Sequence, residues 1–368
     1  MPKRGTAGKA WTNAGLLAIS LAISLLAAEV VVAHVAPQEL TGTFRIRDAQ
    51  GLTLHQPNRR IRLPSGVTYR FDARGLRIPP TGMRSTAASG SVRLLVLGDS
   101  YTFGWRLDEP DTYVARLRSS IEHAFPDKGI ELLNGAHSGW GAADYVDFVE
   151  RYAESLDIDG VLVYLNAFDV DRSFDGNRYQ WTPEAGLRRR PPPPRSQGFR
   201  EVARSIPGYN FLLEHSHLAQ ATRRLLLQRP ERAAPMIDPH PRGTEAHVQL
   251  AEALFQRLQE LCRERRLPLL VLSTGFLDAD LSRMEPTTAA ARTFYADAPR
   301  FFAELGIPYH DIGPELKASV GGNLDALLFP DDPHPNALGA ARIADASWPW
   351  VRDWIAAMVA GGSNLAGP

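Results

Sequence analysis

The sequence predicts an α/β fold, a parallel sheet covered by helices on both faces, carried behind an N-terminal apolar helix. Three observations predict it. From Arg93 onward, short apolar runs alternate with longer stretches of helical period, the pattern of successive βαβ units. Those runs lack in–out alternation, as strands buried on both faces do. Hydrophobic residues make up 44% of the 368, enough to bury a substantial core.

The N-terminus comes first. Lys3, Arg4 and Lys9 precede "AGLLAISLAISLLAAEVVVA", the 20 residues Ala14 to Ala33, whose only ionisable side chain is Glu29. At a rise of about 1.5 Å per residue such a helix spans a hydrocarbon core of roughly 30 Å. Basic residues ahead of it place the N-terminus in the cytoplasm and the bulk of the chain outside. Two readings share these residues. One is an uncleaved membrane anchor over residues 1–36; the other is a signal peptide, for which "AHVA", Ala33 to Ala36, offers a small-residue cleavage site. The apolar run resumes after Glu29, which favours the anchor. Both readings make the working part extracytoplasmic, periplasmic or at the cell surface, and secreted if the segment is cleaved.

Residues 37–91 read as a membrane-proximal segment of short strands and turns. "VTYRF", Val67 to Phe71, alternates with period two, and Arg74 and Arg77 just beyond it read as solvated strand residues. "RLLVL", Arg93 to Leu97, is the first strand of the main domain, expected over 92–356. "DTYVARLRSSIEHAF" then gives a helix with Asp111 as N-cap and Tyr113, Leu117 and Ile121 along its buried face. "IELLN", "AADYVDFVERYAESL" and "GVLVYL" supply strand, helix and strand. Residues 171–245 interrupt the rhythm as an insertion, a lid or a small helical subdomain, with "LRRRPPPPR" an extended solvated loop. The rhythm resumes with the helix "TEAHVQLAEALFQRLQELCRERR", the strand "LPLLVLS", a helix around "ARTFYADAPRFFAELG" and the strand "IPYHDI". Residues 357–368 read as a flexible tail.

Composition excludes some chemistry. The 41 basic and 41 acidic residues balance, which argues against a nucleic-acid binder. The ten histidines are scattered, without zinc-like spacing, so no metal or other cofactor is expected. Cys262 is alone and reads as a helix-packing thiol.

What remains is "GDSYTFG", which places Ser100 just past the carboxyl end of a strand, where ligands gather in such sheets. A serine hydroxyl is a poor nucleophile until a base takes its proton, so it needs a histidine and a group that orients the histidine. "FPDDPHPNALGAARIADA", Phe329 to Ala346, offers both. Asp331 and His334 are three apart, and Asp332 competes for the orienting role. Pro335 fits the first position of a helix whose apolar stripe includes Leu338 and Ile343.

Four blocks in order, "GDSYTFG", "LLNGAHSGWG", "VLVYLNAFDV" and "DDPHPN", resemble the SGNH hydrolase superfamily, the GDSL-type esterases, across residues 92–350. The resemblance implies a flavodoxin-like three-layer α/β/α sandwich with a five-stranded parallel sheet. It also implies metal-free hydrolysis of esters and thioesters, or acyl transfer. Ser100 then matches the nucleophile, His334 the general base and later acid. Asp331 matches the orienting carboxylate, since the family places it three residues before the histidine. The amides of Ser100 and Gly139 match oxyanion donors. The third block departs from the pattern, because Phe168 stands where the family has an asparagine donor and a phenyl ring cannot donate. Asn166, two residues earlier, is either the substitute donor or a loop cap. His137 reads as a pocket-wall residue. "YRFDARGLRIPP", Tyr69 to Pro80, resembles a stretch preceding the serine block in membrane-tethered bacterial members. The resemblance therefore implies an extracytoplasmic serine esterase acting on acyl esters of a cell-envelope glycan or lipid. An O-acyltransferase with the same residues and a non-catalytic binding module are its rivals.

Overall fold

The computed structural model describes residues 5–38, 40, 44–63, 65–82, 91–175, 178–191, 206–227, 244–274 and 288–361. The chain forms two compact units: a large one of residues 45–61, 67–194 and 238–368, and a small one of residues 1–44, 62–66 and 195–237.

The large unit is built on five strands, β1 (Arg93–Leu97), β2 (Glu131–Asn134), β3 (Gly160–Leu165), β4 (Leu269–Ser273) and β5 (Tyr309–Asp311). All pair in parallel, in the order β2-β1-β3-β4-β5. Among the described residues eight α-helices accompany them: α1 (Ser100–Phe103), α2 (Tyr113–Ala124), α3 (Ala142–Leu156), α4 (Asp169–Asp175), α5 (Thr244–Glu264), α6 (Ala289–Glu304), α7 (Gly313–Ser319) and α8 (Ala337–Gly361). Successive strand residues point to opposite faces, and the core divides accordingly. Leu95, Leu97, Val161, Val163, Leu269 and Val271 pack with α3, α5 and α6. Leu94, Val96, Leu162, Tyr164, Leu270 and Leu272 pack with α2, α7 and α8. The result is the expected three-layer α/β/α sandwich of flavodoxin-like strand order. Chain order reverses between β1 and β3, the crevice where such sheets bind ligands.

Local chemistry adjusts the boundaries. Thr112, not Asp111, caps α2: its Oγ1 accepts from Ala115 N at 3.2 Å, while Asp111 sits in the preceding 3₁₀ turn with Pro110. Pro335 does not open α8. It ends an extended ribbon, and Asn336 caps the helix by accepting from Gly339 N at 2.9 Å. Leu338 faces outward, whereas Ile343 is fully buried. The closing helix continues to Gly361, past residue 356. Cys262 is buried on α5, where burial pushes its thiol up to about 12.

Residues 45–61 and 67–78 join the rest of the large unit through two ties. The hairpin of Arg45–Arg47 with Thr53–His55 packs its Leu52 and Leu54 onto the core, and Arg77 N donates to Asn134 O at the end of β2 at 3.2 Å. Arg77 itself is buried, against the expectation of a solvated strand residue. The insertion splits between the units: the hairpin Tyr179–Thr182 with Gly186–Arg189 belongs to the large one. The helices Tyr209–His215 and His217–Leu227 belong to the small one. Most of the proline run lies outside the described residues.

The small unit also contains the helix Gly5–Val35. Its stretch Asn13–Val35, 23 residues with a mean hydropathy of 2.5 and every described side chain between Asn13 and Ala27 exposed, is long and apolar enough to cross a membrane.

Candidate active site

The site forms where the loops after β1, β2 and β3 meet the ribbon before α8. β1 ends at Leu97, and Gly98 follows because a Cβ there would lie 1.9 Å from Thr102 Oγ1. Asp99 then caps α1, accepting from Tyr101 N at 2.8 Å, so Ser100 becomes the first residue of a one-turn helix. Gly104 ends that helix with φ +79°, the left-handed region glycine tolerates best.

Ser100 and His334, 234 residues apart, are brought together: Ser100 Oγ lies 2.8 Å from His334 Nε2. The other ring nitrogen, Nδ1, is hydrogen-bonded to Asp332 Oδ1. An ionised carboxylate can only accept, so Nδ1 carries the proton and Nε2 is left as acceptor for the serine O–H. Asp332 also accepts from His334 N at 3.0 Å.

The carboxylate on the imidazole is thus Asp332, which corrects the expectation of Asp331. The reason is the period of the backbone. Asp332–Pro335 is extended and pairs with Leu328 and Phe329, so Asp332 and His334, two apart, share a face. Asp331 precedes the ribbon with a largely exposed side chain and accepts from Arg106 Nη1 at 3.0 Å. That hydrogen bond holds its carboxyl below the usual range.

Arg106 was not singled out by sequence. Its Nη1 is also 3.6 Å from Asp332 Oδ2, its guanidinium lies 4.7 Å over the Phe329 ring, and its backbone N donates to the Tyr69 hydroxyl at 2.9 Å. Tyr101, next to the serine, donates through its hydroxyl to Pro333 O. Burial first, and the Asp99 charge second, raise its phenol and keep the proton on it. Arg172 is a third. It donates to Asp99 Oδ2 at 2.6 Å and lies 5.4 Å over the Phe168 ring, so Phe168 serves as a platform for the arginine. Only a pattern of isolated arginines near the blocks signalled these residues, and sequence offers no way to pair them.

Gly139 sits in the β2 loop with φ +85°, and a Cβ added there would meet open space to 4 Å. That loop is tied to the serine loop, His137 N donating to Gly98 O at 3.2 Å. The His137 ring is buried, stacked 4.1 Å from His55, and donates through Nδ1 to Ser138 O at 2.9 Å. Burial first, then the Arg45 charge, hold it down to about 3. It stays neutral, as a wall residue would.

Asn166 follows β3 and is 2% exposed. Its Oδ1 accepts from Phe168 N at 3.2 Å, while its Nδ2 is buried against the Tyr101 hydroxyl. Asp169 beneath it accepts from Asn166 N and from the Tyr145 hydroxyl, both at 2.9 Å. Burial, with the neighbouring Asp99 charge, raises its carboxyl well above the ordinary value.

No protein-family model matches the chain, and no curated protein matches it. Similar solved structures include a catalytic mutant of Axe2, an acetylxylan esterase from Geobacillus stearothermophilus. It is 15% identical, with 72% of this chain and 94% of that one covered and a TM-score of 0.43. An alpha/beta hydrolase enzyme from the metagenome of Lake Arreo is 19% identical, covering 69% and 92%, with a TM-score of 0.41. A member of the lipolytic protein G-D-S-L family from Veillonella parvula is 13% identical, covering 70% and 96%, with a TM-score of 0.40.

Proposed function

We propose that the chain is a serine esterase of the SGNH type, acting outside the cytoplasm on acyl esters of a cell-envelope glycan or lipid. The observation that carries this reading is the 2.8 Å contact of Ser100 Oγ with His334 Nε2, with Nδ1 held on Asp332. The serine O–H proton passes to Nε2 as Oγ bonds to the ester carbonyl carbon, and the carbonyl electron pair moves onto oxygen. Asp332 stabilises the imidazolium that forms. Collapse of the tetrahedral species breaks the bond to the alcohol, which takes the proton from Nε2 and leaves an acyl-serine. Water repeats the sequence: it gives a proton to Nε2 as it bonds to the acyl carbon, and collapse breaks the acyl–Oγ bond, returns that proton to Oγ and releases the acid.

The developing oxyanion is served by the amides of Ser100 and Gly139 and by Asn166 Nδ2. The support for Asn166 is its place at the end of β3, with a buried side-chain amide beside Tyr101, the residue that follows the serine. One such donor accounts for about 10²–10³ in kcat. The cell-envelope substrate and the site of action rest on the apolar N-terminal helix.

The test is turnover of p-nitrophenyl acetate by the detergent-solubilised chain and by Ser100→Ala, with a fluorophosphonate probe read by mass spectrometry. Expected are a loss of about 10³-fold or more and an adduct on Ser100. Unchanged turnover in Ser100→Ala overturns the reading. Adding a sugar acceptor and weighing the products separates hydrolysis from transfer.

A further inference from the structure

Glu29 is the one acidic side chain in an apolar run long enough to cross a bilayer. Such a residue is costly inside a membrane unless it has partners. Here it has three, all on the small unit's helical hairpin. Its carboxylate accepts from Ser216 Oγ at 2.7 Å, His217 N at 2.7 Å and Leu218 N at 2.9 Å. Ser216–Leu218 is the start of the 11-residue helix His217–Leu227, so Glu29 caps that helix from another segment, a carboxylate at the positive end of a helix dipole. A second tie lies beside it, Gln38 N donating to His217 Nδ1 at 2.8 Å.

The depth of this junction follows from helix geometry. Glu29 lies six residues before Val35, or about 9 Å inside the end of the span. The hairpin docked on it therefore begins at the level of the bilayer hydrocarbon. Its surface has the matching character. Phe211, Leu212, Leu225 and Leu226 are all exposed, as are Leu25 and Leu26 of the N-terminal helix. Asn210, His215, Thr222 and Arg224 are exposed beside them, so the hairpin is amphipathic, with more apolar surface outward than a water-facing hairpin shows. Between the two elements lies a groove of about 560 Å³, walled by Leu25, Leu26, Leu212, Leu213, Leu218 and Leu226, with Arg223 also on its lining. The long arginine stem lets a guanidinium reach the headgroup layer from an apolar seat.

We propose that the hairpin Tyr209–Leu227 is a second membrane element, seated in the bilayer by Glu29, and that its groove holds a lipid acyl chain. The occupant follows from continuity: the groove wall is the same helix face that a membrane span presents to lipid. The inference rests on the N-terminal helix being a retained anchor, and it gives Glu29 the role of fixing the hairpin to that anchor.

The experiment uses the full chain in phosphatidylcholine vesicles, with Cys262→Ala as background and nitroxides at Leu21→Cys, Leu225→Cys or Leu226→Cys. Collision with oxygen, which favours the bilayer, is compared with collision with a nickel chelate, which stays in water. Oxygen is expected to dominate at all three positions. Glu29→Ala is expected to lower the oxygen-to-nickel ratio at 225 and 226 about threefold or more without moving it at 21, and Glu29→Gln, which keeps an acceptor oxygen, to lower it less. A bilayer signature at 21 with a water signature at 225 and 226 overturns the hairpin proposal and leaves the anchor standing. Water at all three positions, or a mature chain that begins beyond Glu29, overturns the anchor itself.

Discussion

The hydroxyl of Tyr101 donates to the carbonyl of Pro333, tying the residue after the serine to the residue before the histidine. Two loops from distant parts of the chain are thereby fixed to each other one residue from Ser100 and His334. Tyr101→Phe removes this tie with little change of volume. Its kcat is expected to fall about tenfold with KM nearly unchanged, as for a lost positioning contact. Steady-state kinetics on p-nitrophenyl acetate check it, and a raised KM with intact kcat would assign Tyr101 to binding instead.

Asp332 and Asp331 separate by role. Asp332→Asn removes the charge and lets an amide N–H face Nδ1, so the tautomer of His334 is no longer fixed and kcat is expected to fall by about 10²–10⁴-fold. Asp331→Asn removes only an exposed partner of Arg106, and kcat is expected to stay within about threefold of wild type. The reverse ranking would return the orienting role to Asp331.

Asn166→Ala is expected to lower kcat by about 10²-fold at nearly constant KM. Because Oδ1 of Asn166 also accepts from Phe168 N, the urea midpoint is measured beside the kinetics. A large loss of stability with unchanged kcat would leave Asn166 as a loop cap only.

The stacked pair His55 and His137 makes stability depend on pH. Burial holds both rings below the ordinary imidazole value, His137 at about 3. The unfolded chain takes up protons on these rings below about pH 6.5, and the folded chain does so only far lower. Their contribution to stability is therefore complete above about pH 6.5 and is lost as pH falls toward 3, by up to about 1.4 kcal/mol per pH unit for each ring. Between about pH 7 and pH 5, His137→Phe is expected to lose about 2 kcal/mol less than wild type in urea unfolding. Equal losses would contradict the low value for this ring.

Arg77 is buried between the rings of Tyr69 and Phe103, its guanidinium 4.7 Å from each. Burial lowers it to about 10. It donates to the carbonyls of Phe103, Gly104 at 2.8 Å and Leu107 at 2.5 Å, all in the turn that follows Ser100. Arg77→Met leaves those oxygens unpaired, and a loss on the order of 3 kcal/mol is expected in chemical denaturation.

The sheet was readable because its strands are short apolar runs with no alternation, and their number and sequence order match the structure. The meeting of Ser100 with His334 was readable because each stands in a short block with its own turn chemistry. The choice between Asp331 and Asp332 was not, since it depends on whether "DDPHP" is a turn or an extended ribbon. Two prolines favour extension, and extension puts residues two apart on one face. Arg77, Arg106 and Arg172 were unreadable for a different reason. Each acts across 26 or more residues of separation, through carbonyls or carboxylates that carry no pattern in the chain.

The buried guanidinium also sets where the protein can be cut. A truncated, soluble version starting at Arg93, where the first sheet strand opens, would delete the side chain that braces the serine turn from below. The shortest fragment worth expressing begins near Arg45, so that the hairpin, Tyr69 and Arg77 travel with the sheet.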